Sequence, residues 1–217
     1  MKAVVTCDII KSRQYSNLDR DEINRLIKTS FNDCCDLVPE ANADKLSFSI
    51  IQGDEFQFLI NKPEYAYQFV VFYRLILSRS NIKFSFRSGI GIDDIVIQDE
   101  NTYKMDGPAF HKSREGINEF ELKINKSRLT IIKYGKVQID NELNMICIYQ
   151  DLLESKWSAK NRSSILAKIK YQTLSEAALH ENVTYQAIQK NLKAAFWEIF
   201  FDGIEYIRDR LNTTLTG

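Results

Sequence analysis

Between Ser47 and Ile60 two apolar runs are parted by Gly53-Asp54. Glycine followed by aspartate suits the tight, positive-φ geometry of a two-residue turn, which commits this stretch to an antiparallel hairpin. The tip carries adjacent carboxylates, Asp54 and Glu55. Another acid, Asp8, stands near the end of the strand-like run Lys2-Ala-Val-Val-Thr-Cys-Asp-Ile-Ile10. Carboxylates at strand ends of one sheet can share a divalent cation, because hard ions take oxygen ligands. Asp8 and Asp54 are therefore candidate metal ligands, with Mg²⁺ or Mn²⁺ as the expected ion.

At 217 residues the chain has room for one large domain or a main domain with a smaller one. A formal net charge of zero gives no global field announcing a nucleic-acid or membrane partner. Cys7, Cys34, Cys35 and Cys147 show no C-x-x-C spacing, so reduced thiols in a cytosolic protein are expected. There is no charged leader with a cleavage site and no apolar run of membrane-spanning length, and the expected location is cytoplasmic.

In chain order, Ile10–Ser16 is a polar connection, and Asn17-Leu-Asp19 supplies cap residues for a helix of about 20 residues. Its positions Ile23, Leu26, Ile27, Ser30 and Phe31 recur at helical spacing. Pro39 closes that region, and Pro63 opens a helix over Glu64 to Arg79. Ile82 to Ile92 alternates as a half-buried strand does. The order strand, helix, hairpin, helix, strand predicts an α+β sandwich of ferredoxin-like character. Pro108 starts a further helix, and strands are expected at Phe120 to Ile124 and Leu129 to Lys133. From Asp140 the pattern turns helical through Leu143, Ile146, Cys147, Tyr149, Leu152, Leu153 and Trp157. This places a boundary between an α+β domain at 1–134 and a helical domain at 140–217.

Within that helical part, Leu174 to Lys193 has the pattern of a helix-turn-helix. Leu174, Ala178 and Leu179 bury the first helix, Asn182 takes the left-handed turn, and Val183 plugs the core. Thr184 caps the second helix, whose Ile188 and Leu192 face inward. Thr184, Tyr185, Gln186, Gln189, Lys190 and Lys193 then form the candidate DNA-reading face, since such side chains suit base edges and phosphates. Residues 156–193 hold seven Lys or Arg against two Glu, a local net of five positive charges. Trp197, Phe200, Ile204, Ile207 and Leu211 form a stripe suited to a core or a dimer seam. A homodimer is expected, since such DNA readers bind as two-fold pairs.

Over its whole length the sequence resembles the SatD family. The resemblance rests on Cys7-Asp-Ile-Ile-Lys-Ser-Arg13, Gln52-Gly-Asp-Glu-Phe-Gln57, Arg87-Ser-Gly-Ile-Gly91, Asp106-Gly-Pro-Ala109 and the terminal helix pair. Residues 1 to about 133 also resemble the catalytic domain of class III nucleotidyl cyclases and, more loosely, the GGDEF diguanylate cyclases. That second resemblance implies metal ligation by Asp8, by Ile9 beside it, and by Asp54. It implies triphosphate contacts from Ile10, Lys11, Ser12 and Arg13, and a transition-state role for Arg114. Phe110 stands where the cyclase pattern has asparagine, and Gln52-Gly53 where the diguanylate cyclases have Gly-Gly. The combined expectation is a DNA-binding, regulator-like protein whose degenerate cyclase-like domain binds a nucleotide and a metal. The alternative is an active metal-dependent enzyme on nucleoside triphosphates.

Overall fold

A computed structural model describes residues 1–41, 46–52, 54–99, 101–122 and 127–216. Gly53 of the expected turn and positions 123 and 124 of an expected strand lie outside them. The fold is α+β. One sheet holds five strands in the order β2-β3-β1-β4-β5. They are β1 (Lys2–Ile9), β2 (Phe48–Gln52), β3 (Glu55–Ile60), β4 (Phe86–Asp93) and β5 (Thr130–Lys133). The first four are antiparallel, in the double split-βαβ arrangement of a ferredoxin-like sheet. The fifth joins β4 in parallel.

Alternation along β1 decides what covers each face. Ala3, Val5, Cys7 and Ile9 enter the main core with α1 (Asn17–Leu37) and α2 (Ala66–Leu77). Helix α1 starts at a Ser16–Asp19 capping box, one residue ahead of the expected cap. Val4, Thr6 and Asp8 point the other way, toward α3 (Pro108–Leu122). Phe120 lies in the last turns of α3, which overturns the strand expected to begin there. A short apolar run does not by itself distinguish strand from helix. Here Glu115 and Glu119, one helical turn apart, both reach Lys133, and Arg87 lies over the Phe120 ring.

Three further helices complete the sheet's surroundings: α4 (Val137–Ser155), α5 (Ala159–Lys170) and α8 (Trp197–Thr216). Helix α4 runs along the outer edge of β5 and satisfies its backbone with side chains. Asp151 Oδ2 accepts from the Leu129 and Thr130 N–H groups at 2.7 and 2.9 Å. Asn144 accepts from the Ile132 N–H at 2.9 Å and donates to the Ile132 carbonyl at 2.6 Å. Asp140 accepts from the Tyr134 N–H at 2.7 Å. An edge covered this way offers no row of unpaired groups to another strand. The segment 134–140, expected as a boundary, is thus a hydrogen-bonded corner. One hydrophobic cluster runs from β1 through α2 to Leu143, Trp157, Phe200 and Leu211, so the stripe on α8 belongs to the core.

Between α5 and α8 lie α6 (Leu174–His180) and α7 (Tyr185–Ala194). All four cysteines are unbridged. No described helix is long and apolar enough to cross a membrane.

Candidate functional site

The end of the sheet that carries the hairpin tip gathers most of the residues singled out as metal- or nucleotide-binding. Asp8 is the cross-strand partner of both Glu55 on β3 and Arg87 on β4. Partners in register share a face, so Glu55, Asp8 and Arg87 form a row on the α3 side. Arg114 descends from α3 to this row, its Nη1 donating to Glu55 Oε1 at 2.6 Å. Glu55 thus meets the basic neighbour that an acid beside the tip calls for. At the turn, the Ile9 N–H donates to the Asp54 carbonyl at 3.0 Å, and Ser12 Oγ donates to Asp54 Oδ2 at 2.5 Å.

The connection after β1 is divided in its roles. The Ile10 N–H donates to the Ser85 carbonyl, which keeps it in the sheet. Lys11 takes a left-handed backbone at φ +58°, costing a non-glycine residue about 1 kcal/mol. That turn starts a short 3-10 segment, Ser12–Gln14, whose leading N–H groups have no partner within it. Lys11 and Arg13 are exposed. Among the described residues, no group of three or more His, Cys, Asp or Glu side chains is gathered as a metal cluster. Any cation held there would rest on Asp8, Asp54 and backbone oxygen.

What seats α3 on the sheet is a polar chain below an apolar one. Gln57 Nε2 donates to Thr6 Oγ1 at 2.8 Å, the Thr6 and Ser113 hydroxyls lie 2.8 Å apart, and Ser113 donates to the Phe110 carbonyl at 2.9 Å. Ser113 has one proton and the carbonyl can only accept, so Thr6 is the donor to Ser113. The Phe110 ring packs with Val4, Leu59, Met105 and Ala109, about one helical turn from Arg114, which approaches the sheet end. Burial pushes the thiols of Cys7, Cys34 and Cys147 well up, so none of these three is poised as a thiolate nucleophile. His111 Nε2 lies 3.1 Å from Asp106 on the exposed side of α3.

At the other candidate surface, Asn182 holds φ +53° between α6 and α7, and Thr184 accepts from the Ala187 N–H at 3.2 Å as helix cap. Ala178 and Ile188 are buried, while Thr184, Tyr185, Gln186, Gln189, Lys190 and Lys193 are all exposed. Two expected core positions are corrected. Leu179 is 79% exposed and Val183 46% exposed. The small Ala177 and Ala178 make the inward face of α6, so the helices approach closely and the larger neighbours turn outward. Glu181, at the end of α6, accepts from Ser163 on α5 and pairs with Arg79 beyond α2 at 3.1 Å. These partners, far apart in sequence, were not readable from the motif.

A family model described as the SatD family matches residues 2–210. Among solved structures, the "Structure of a bacterial light-regulated adenylyl cyclase" is similar over 72% of this chain and 80% of that chain, at 12% identity and a TM-score of 0.36. No curated protein matches the chain.

Proposed function

Since the chain belongs to the SatD family, and a family name carries no chemistry of its own, we propose a function from its surfaces: it binds duplex DNA in the manner of a transcription regulator, with α7 as the reading helix. One observation carries this reading. Five polar or basic residues project from α7, with Thr184 capping its start, while its opposite side, at Ile188, is buried. A helix of this kind fits a major groove, with Gln186 and Gln189 able to pair with adenine edges and Lys190 and Lys193 able to meet phosphates. Mobility shift with genomic duplex fragments across a salt series tests it. Lys190→Ala should weaken binding to all fragments and lower the log–log salt slope by about one. Gln186→Ala should change the preference among fragments. Weak binding that neither substitution alters at any salt would sink the proposal.

A second reading has its own observation, the Ser12–Asp54 contact beside Asp8. Two carboxylates and the Ile9 carbonyl are oxygen donors of the kind Mg²⁺ accepts together with phosphate oxygens. The residues present therefore fit a metal–nucleotide site, in which the ion would neutralise phosphate charge. Lys11, Arg13 and the leading N–H groups of the 3-10 turn would face the phosphates. Turnover is not favoured by Phe110, whose ring offers no hydrogen bond, nor by Arg114, already held by Glu55. The expected result with ATP or GTP and Mn²⁺ is a rise in melting temperature that Asp8→Ala and Asp54→Ala abolish. Product chromatography of the same mixtures decides between binding and the alternative, an active enzyme. Activity surviving both substitutions would exclude this site.

A further inference from the structure

A cavity of about 470 Å³ opens where the starts of β4 and β5 meet the end of α2 and the α4–α5 junction. It holds none of the residues proposed for the hairpin site or for α7, meeting the former only at Ser85, whose carbonyl accepts from the Ile10 N–H, and it needs neither proposal above. One wall is aromatic, from the half-buried Phe84 with the fully buried Phe86 behind it, and its floor and mouth carry charge from Arg74, Glu154, Arg162 and Lys83. The charges do not balance. The Glu154 carboxylate holds Arg74 at 2.9 Å but lies 3.4 Å from Arg162 Nη1, while Arg162 Nη2 donates to the Glu154 carbonyl at 2.8 Å. Lys83 Nζ donates to the Ser78 and Ser80 carbonyls at 3.1 and 2.7 Å, and among the described residues no carboxylate pairs with it. Even with Asp151 behind the floor, 3.5 Å from Arg74, cations outnumber carboxylates three to two. A largely apolar hollow of this size with a few convergent polar groups has the make-up of a small-molecule site, for which ~300–1,000 Å³ is usual.

We propose that this cavity binds a planar aromatic anion, its ring against Phe84 and its carboxylate or phosphate toward Lys83 and Arg162. An anion there supplies the counter-charge that Lys83 lacks, and Arg162, anchored on the Glu154 carbonyl through Nη2, can offer it the Nη1 that makes only the long contact with the Glu154 carboxylate. The ring displaces water from the aromatic wall, which neither an inorganic anion nor a neutral ring alone exploits together with the charge. Because α5 forms part of the wall and packs on α6 and α7, a bound anion also braces that helix group.

The experiment is isothermal titration of the full chain with phenyl phosphate and with benzoate, against inorganic phosphate and benzyl alcohol. Saturable binding of either aromatic anion, at least tenfold tighter than both controls, is expected. Lys83→Met should weaken it roughly tenfold, the cost of one charge-assisted hydrogen bond. Ala159→Trp, at the exposed mouth, should abolish it by filling the opening. Circular dichroism establishes that each variant is folded, and either folded variant alone is decisive. No saturable binding of either aromatic anion, binding equalled by inorganic phosphate, or binding unchanged in a folded variant would overturn the proposal.

Discussion

Gly91 lies where α3 touches the sheet. A Cβ there would stand 2.1 Å from the Ala109 carbonyl oxygen and 2.4 Å from the Ser113 nitrogen, both backbone atoms that move only with the helix. Gly91→Ala should therefore cost about 3 kcal/mol, as overpacking a close-packed contact does. For a chain of this size the melting temperature should fall by roughly 6–12 °C. Gly116, on α3, is the contrast. Its added Cβ would sit 3.1 Å from the Gly89 Cα, and alanine gains about 1 kcal/mol of helix propensity over glycine. The two effects oppose, so Gly116→Ala should melt within about 3 °C of the parent. Equal losses at both positions would contradict this account of how α3 is seated. The pattern Arg87-Ser-Gly-Ile-Gly91 is visible in the sequence, but its reason lies in a helix that begins at Pro108. The same limit applies at the candidate site. Asp8, Asp54 and Arg114 can be singled out from strand ends and resemblance. The Glu55–Asp8–Arg87 row needs the register, which alternation within one strand does not fix.

At the scale of elements, the hydrophobic pattern recovers most of the helices and all five strands of the sheet, because each buries apolar residues. It fails for α3 beyond Phe120, and it says nothing of what α4 does with its polar residues. Asp140, Asn144 and Asp151 look like surface positions on a helix, yet they serve as the missing neighbour of β5. Asp151 carries the consequence. Burial raises its carboxyl from the usual 3.8 to about 7, outweighing the opposing Arg74 guanidinium, while nearby Glu154 adds to the rise. Between those two values the native state keeps a proton that the unfolded chain releases. Stability contributed by this group is therefore fully present below about pH 4 and is lost as pH rises toward 7, at roughly 1 kcal/mol per pH unit. Asp151→Asn removes the titration while keeping an acceptor for the Leu129 and Thr130 N–H groups. Urea unfolding from pH 4 to 7.5 should show the parent losing stability relative to Asp151→Asn as pH increases. A constant difference across that range would mean that the carboxyl is ionised in the fold throughout.

For the molecule as a whole, the question is whether residues 1–134 and 140–217 unfold together. The change of pattern near Asp140 marks them as separate units in the sequence, since helical and alternating periods look alike whether or not they share a core. In the fold, Tyr67 donates to Gln150 at 2.8 Å, and Gln150 donates to the Phe200 carbonyl at 2.8 Å, so α2, α4 and α8 are joined in one line. Arg74 on α2 binds Glu154 on α4 and Thr130 on β5, and only 5% of it is exposed. Arg74→Met would leave Glu154 and Asp151 without their buried cation, with the long contact from Arg162 to Glu154 remaining, a loss of about 3–5 kcal/mol for a broken buried pair. The double change Arg74→Met with Glu154→Leu should recover much of it, because the uncompensated charge goes too. Both tryptophans, Trp157 and Trp197, lie in the second segment. Their fluorescence follows the helices, while Gly91→Ala disturbs the far face of the sheet. If the shared core makes one cooperative unit, Gly91→Ala and Arg74→Met should each lower the fluorescence midpoint as much as the circular dichroism midpoint. A fluorescence transition that stays in place while the dichroism splits into two steps would show that the sheet and the helices fold independently, despite the core they share.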